Sequence, residues 1–102
     1  MNPQKVDRKR VARLEDLPNI GKAMAQDLRL LGIETPEMLV GKNPFEMHEA
    51  LSRATGMRQD PCVIDVFMSA VSFMEGGDAL PWWWFTSERK RLQLASARKP
   101  PQ

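Results

Sequence analysis

The chain has 102 residues, of which 42% are hydrophobic and 27% charged, enough apolar material for one folded domain with a single core. Its single cysteine excludes an internal disulfide and a cysteine-based zinc site. The N-terminus, MNPQKVDRKR, lacks the apolar core of a signal peptide, and the longest apolar stretch, Cys62 to Met74, is too short to span a bilayer. We therefore expect a cytoplasmic protein without membrane attachment.

The net charge of +2 hides a division of the chain into three blocks. Residues 1–13 carry a net charge of +4, residues 14–85 a net charge of −6, and residues 86–102 a net charge of +4. The expected domain organisation is a flexible basic arm at 1–9, a single domain at 10–97 and a tail at 98–102. Since Lys and Arg contacts supply most non-specific affinity for nucleic acid, such binding would depend on the basic ends.

Two short helices are predicted first, from about Lys9 to Leu17 and from Gly21 to Leu31, because apolar residues recur there at helical spacing. The turn between them, Pro18 to Gly21, is so tight that it needs special backbone angles. Asn19 and Gly21 are the residues that adopt positive φ most readily, and Ile20 is expected to point into the core. Gly32 is expected to end the second helix.

Three further helices are predicted to start with a capping residue followed by proline, at Thr35-Pro36, Asn43-Pro44 and Asp60-Pro61. Glycines end them, and a last helix is predicted to start with Thr86 as its N-cap. The helix that starts at Pro61 is apolar nearly all round, which is typical of a helix enclosed by its neighbours. The fold class is therefore all-α, a compact bundle of five or six short helices.

The segments LEDLPNIGKAMAQDLRLLGI and NPFEMHEALSRATGMRQDPCVIDVF, followed by a tryptophan-rich stretch and a charged helix, resemble the bacterial pathogenicity-locus family of small helix-hairpin-helix proteins. The resemblance covers roughly residues 12 to 90. In the helix-hairpin-helix motif the hairpin usually reads Gly-hydrophobic-Gly, and Asn19 replaces the first glycine here.

The resemblance implies that the second helix holds a DNA phosphate at its N-terminus, where free N–H groups and the helix dipole favour an anion. The residues expected to form this site are Asn19, Gly21, Lys22 and Ala23. Contacts of this kind touch the backbone of the duplex and carry no sequence information. The implied function is sequence-independent DNA binding.

Trp82, Trp83 and Trp84 are consecutive, so their side chains point in different directions and at least one must turn away from the domain. An exposed indole favours a protein interface or, with Arg89 and Lys90 nearby, stacking on unpaired bases. The alternative function is therefore a protein-interaction adaptor or a homodimer that uses this segment, with the hairpin purely structural.

Catalysis is not expected. Cys62, His48 and Asp65 could be combined as nucleophile, base and orienting group, and the helix N-terminus would lower the pKa of the thiol. The simpler interpretation is that Cys62 is a small hydrophobe in a buried helix and that His48 lies at the surface or an edge. No nucleotide-binding loop or metal-ligand cluster is present in the sequence, so neither a cofactor nor a metal is predicted.

Overall fold

The computed structural model describes residues 6–97, with side chains up to residue 95. Within this range the regular structure is helical throughout, with no strand. Four α-helices follow one another, α1 at Lys22–Leu30, α2 at Pro44–Thr55, α3 at Cys62–Met74 and α4 at Thr86–Ala97. Short 3₁₀ turns lie at Arg8–Arg10, Leu14–Asp16, Pro36–Leu39 and Trp82–Phe85. The all-α fold class is confirmed, and four α-helices with four 3₁₀ turns take the place of five or six helices.

The predicted first helix, Lys9 to Leu17, is wrong. The chain forms two separate 3₁₀ turns there, because Val11 (φ −74°, ψ 110°) and Arg13 (φ −116°, ψ 163°) are extended. The Asp16 carboxylate accepts hydrogen bonds from the N–H groups of Ala12 (3.0 Å) and Arg13 (2.8 Å), which also keep the pKa of Asp16 below its usual value. These side-chain bonds compete with a continuous helix for the same backbone groups.

Helix α3 is the centre of the fold. It lies against α2, α4, the Pro36–Leu39 turn and the Trp82–Phe85 turn. Its buried apolar side chains pack with those that flank the hairpin before α1. These core residues are Phe67, Ala70, Val71 and Phe73 from α3, and Leu14, Leu17 and Ile20 from the hairpin region. The prediction that Ile20 points into the core is confirmed.

The helix boundaries follow the capping residues in most places. The Asn43 side chain accepts from the N–H of Phe45 at 2.9 Å, and Gly56 ends α2 with φ 68°. The Asp60 side chain accepts from the N–H of Cys62 at 2.8 Å and so caps α3. Helix α4 differs from its prediction, because Thr86 is its first helical residue (φ −59°, ψ −45°) and not a cap. Among the described residues no helix is long and apolar enough to cross a membrane.

Candidate functional site

The hairpin between Pro18 and Gly21 is held in place by Asn19. Asn19 has φ 67°, which makes it the one non-glycine residue with positive φ in the described chain and confirms the expectation for this position. Its side-chain amide donates hydrogen bonds to Ser69 Oγ at 3.1 Å and to the Leu80 carbonyl at 2.8 Å. Asn19 therefore sets the turn geometry and also ties the turn to α3 and to the segment before the tryptophans.

Gly21 does not have the conformation that the sequence predicted. Its backbone is extended (φ −92°, ψ −171°), which any residue adopts, and a Cβ placed there would meet nothing within 4 Å. The expectation that Gly21 adopts positive φ is therefore wrong. The physical reason is that Asn19 alone supplies the left-handed step, and Gly21 is the N-cap of α1.

The N-terminus of α1 is open to solvent. Gly21, Lys22 and Ala23 are exposed, no side chain of residues 6–95 caps the helix, and its first turn contains no acidic residue. The N–H groups of Lys22, Ala23 and Met24 have no acceptor in the part of the chain that the structure describes. Helices α2 and α3 differ, because Asn43 and Asp60 already cap them. Three predicted site residues, Gly21, Lys22 and Ala23, thus lie together around unused helix amides, while the side chain of Asn19 points to Ser69 and Leu80.

Several arginines are engaged in contacts within the protein. Arg8 donates to the carbonyls of Phe73 and Gly77, and its guanidinium lies 4.0 Å from the centroid of the Phe73 ring. This cation of the predicted arm is therefore bound at the C-terminal end of α3. Within the described residues, six cations form no ion pair: Arg8, which is bound to carbonyls, and Lys9, Lys22, Lys42, Arg58 and Lys90.

Arg89 does not lie at the surface beside the tryptophans, as the sequence suggested. Its side chain is 9% exposed and forms an ion pair with Asp65, which is 0% exposed, with Arg89 Nε 2.8 Å from Asp65 Oδ1. Thr86 Oγ1 donates to the other carboxylate oxygen, Asp65 Oδ2, at 2.8 Å. The hydrogen bond to Asp65 raises the pKa of Arg89, so the guanidinium stays charged. One signal in the sequence pointed to this pair: a carboxylate inside an apolar helix needs a buried cation.

The tryptophans differ in their exposure. Trp82 is half-buried and packs edge-to-face against Trp83, with ring centroids 5.9 Å apart and planes at 85°. Trp83 and Trp84 are 62% and 66% exposed, which confirms that at least one indole turns away from the domain. Lys90 is also exposed, whereas Arg91 is paired with Glu88. An interface or base-stacking role for this segment stays a prediction.

Cys62, His48 and Asp65 are not combined into a catalytic group. Cys62 is exposed and not a core residue. Its hydrogen bond with Asp60 raises the pKa of the thiol, opposite to the effect expected of a helix N-terminus. His48 Nε2 lies 2.9 Å from the Gln59 carbonyl, and Asp65 is occupied by Arg89 and Thr86. Within the described residues no group of three His, Cys, Asp or Glu side chains is placed to hold a metal ion.

Comparison with known proteins identifies the family. A family model described as Cdd1, pathogenicity locus, matches residues 7–91. The chain belongs to this family. It is also 44% identical over 79 residues to the mitomycin resistance protein McrB of Streptomyces lavendulae, an alignment that covers 78% of this chain and 75% of the relative. No solved structure matches the chain. The matched range includes the hairpin, the Asp65–Arg89 pair and the tryptophan segment, and the resemblance expected from the sequence is confirmed.

Proposed function

We propose that this protein binds DNA without sequence preference, through the hairpin before α1. The hairpin would act like that of a helix-hairpin-helix motif, with the 3₁₀ turn at Leu14–Asp16 in place of the first helix. The observation that carries the proposal is the N-terminus of α1, which is exposed, lacks a side-chain cap and bears Lys22. Free amides at a helix N-terminus, together with the helix dipole, form a suitable site for a phosphate group.

The residues of the hairpin have different roles in this proposal. The N–H groups of Lys22, Ala23 and Met24 bind the phosphate oxygens, and the Lys22 ammonium adds a charge. Asn19 positions the turn, because its side chain is already bonded to Ser69 and Leu80. Gly21 has no side chain, so it does not obstruct the surface on which the duplex backbone would lie.

The proposed binding is weak and depends on salt. Arg8 and Arg89 are engaged within the protein, so few cations of the described domain are free to release counterions from DNA. The Streptomyces lavendulae relative is named a mitomycin resistance protein, so the mitomycin sensitivity of cells can be measured as a test of function. We propose a related role for this chain, so that cells without it are more sensitive to mitomycin.

The direct experiment is fluorescence anisotropy with labelled mixed-sequence DNA, single- and double-stranded, over a series of salt concentrations. Lys22→Ala removes the charge alone, while Lys22→Pro removes the charge and the amide. Proline suits the first helical position, and the extended Gly21 before it is compatible with proline. We expect Lys22→Ala to lower the salt slope of log K by about 1 and Lys22→Pro to weaken binding further.

Lys42→Ala is the matched control. Lys42 is also an exposed lysine without an ion pair just before a helix, but the amides of that helix are capped by Asn43. The control should bind DNA like the unmodified protein. Equal affinities of the Lys22→Pro and Lys42→Ala variants, both folded by circular dichroism, would overturn the phosphate site.

A second candidate function rests on Trp83 and Trp84, whose exposure on an ordered 3₁₀ turn is typical of protein interfaces. In this alternative the segment mediates a homodimer or the docking of another protein, and the hairpin is a scaffold. Sedimentation velocity at increasing concentration tests the homodimer, with Trp83→Ala and Trp84→Ala as variants. Leu30→Ala, an exposed apolar residue on α1, is the control. A wild-type protein that stays monomeric would exclude the homodimer.

A further inference from the structure

An open groove lies between the start of α2, the middle of α3 and α4, and the proposed DNA contact does not use it. Its volume is 880 Å³, within the range of small-molecule sites. Apolar side chains from the three helices form its floor: Pro44 and Phe45 from α2, Met68 from α3 and Leu92 from α4. All four are half-buried, so an apolar surface contributed by three separate helices remains open to solvent. We call this cavity the α2–α4 groove.

The polar side chains that line the groove are Lys42, Asn43 and Gln93, and most of their groups without a hydrogen-bond partner are donors. The oxygen of the Asn43 amide accepts from the N–H groups of Phe45 and Glu46. The oxygen of the Gln93 amide accepts from Arg89 Nη1 at 3.1 Å. Asn43 Oδ1 accepts two hydrogen bonds and Gln93 Oε1 accepts one, so the NH₂ group of each amide is the part most available to a ligand.

The charge on the described residues that line the groove is positive. Lys42 is exposed and forms no ion pair with a described residue. None of the described residues that line the groove carries a carboxylate. The neighbouring Glu75 accepts a hydrogen bond from the N–H of Gly41 at 2.9 Å, and it does not pair with Lys42. An ammonium and two amide NH₂ groups beside an apolar floor are complementary to an oxyanion attached to an apolar body.

We propose that the α2–α4 groove binds a small amphipathic anion. The apolar body of the ligand packs on Phe45, Met68 and Leu92, and its carboxylate, sulfonate or similar oxyanion accepts hydrogen bonds from Lys42 and Gln93. The buried Asp65–Arg89 pair contributes indirectly, because Arg89 orients the Gln93 amide. The site is independent of the proposed DNA contact at α1.

The test uses two fluorescent probes with the full chain: 1-anilinonaphthalene-8-sulfonate, which carries the oxyanion, and N-phenyl-1-naphthylamine, which has a similar aromatic body without it. We expect saturable one-site binding of the sulfonate probe and weaker binding of the neutral one. Lys42→Glu should weaken binding of the sulfonate probe by about tenfold and leave the neutral probe unchanged. Leu92→Glu should weaken both probes.

Lys22→Glu is the matched control, since it reverses an exposed lysine away from the groove and should leave both affinities unchanged. Proton–carbon NMR of the Met68 and Leu92 methyl groups gives a second readout, with shifts expected on sulfonate binding. Three results would overturn the proposal: no saturable binding, equal effects of Lys42→Glu and Lys22→Glu, or affinity that falls as protein concentration rises, which would mean that a second copy fills the groove.

Discussion

Replacing Arg89 with alanine is expected to destabilise the protein more than any exposed charge substitution. The change removes the partner of Asp65, a carboxylate that is 0% exposed and sits in the central helix α3. Arg89 contributes two hydrogen bonds to that carboxylate, from Nε at 2.8 Å and from Nη2 at 3.4 Å. In the variant only the Thr86 hydroxyl would remain to satisfy a buried negative charge.

The expected cost is large because an unpaired buried charge is left behind. Removing one partner of a buried ion pair typically costs about 3–5 kcal/mol, against a total domain stability of about 5–15 kcal/mol. Arg91→Ala is the matched control on the same helix. Its pair with Glu88 is largely exposed, at 65% and 48%, so its loss should cost far less stability than loss of the buried pair.

Urea unfolding followed by circular dichroism measures both free energies. Thr86→Val provides a milder variant in case Arg89→Ala does not fold, and loss of its hydrogen bond to the charged Asp65 should cost about 1.5–3 kcal/mol. The combined Asp65→Leu, Arg89→Met variant should recover most of the stability, because no buried charge remains. Similar small losses for Arg89→Ala and Arg91→Ala would refute the buried pair.

Two further predictions follow from the backbone and from the thiol. Gly21→Ala should change the unfolding free energy by less than about 0.5 kcal/mol, whereas Gly32→Ala should cost about 1–2 kcal/mol. Both positions have space for a Cβ, and only Gly32 has positive φ, at 81°, so equal losses in urea titrations would contradict this account. Cys62 should react slowly with iodoacetamide near neutral pH, because Asp60 raises its pKa and lowers the thiolate fraction. Asp60→Asn should speed the reaction while retaining a capping oxygen, and an unchanged rate would exclude Asp60 as the cause.

The sequence was informative where a local rule determines the structure. Asn19 in a tight turn predicted positive φ, and the Asn43-Pro44 pair predicted the start of α2 at its observed position. Spacing of apolar residues predicted α1 to within one residue at each end. These features depend on residues within a few positions in the sequence, so they can be predicted from a single sequence.

The features that depend on distant residues could not be predicted in the same way. Asp65 and Arg89 are 24 positions apart, and only the packing of α4 on α3 brings them together. Arg89, in the charged helix predicted near the C-terminus, is therefore buried in the core and not placed on the surface. Likewise, the groove forms where Phe45, Met68 and Leu92 come together from three helices. The spacing of apolar residues within one helix does not predict a cavity between three helices.

Each proposed site depends on a different exposed lysine, Lys22 for DNA and Lys42 for the groove. The lysine of one site therefore serves as the control for the other. Lys22 begins a helix with free amides and stands away from the apolar groove, whereas Lys42 precedes a helix capped by Asn43 and lines that groove. If both proposals hold, Lys22→Glu weakens DNA binding and leaves binding of the sulfonate probe unchanged. Lys42→Glu weakens binding of the sulfonate probe and leaves DNA binding unchanged. General electrostatic attraction between a basic protein and any anion would instead make both reversals weaken both ligands to a similar extent. Titration of each variant with DNA and with the probe in the same buffer therefore distinguishes binding at two specific sites from non-specific electrostatic binding.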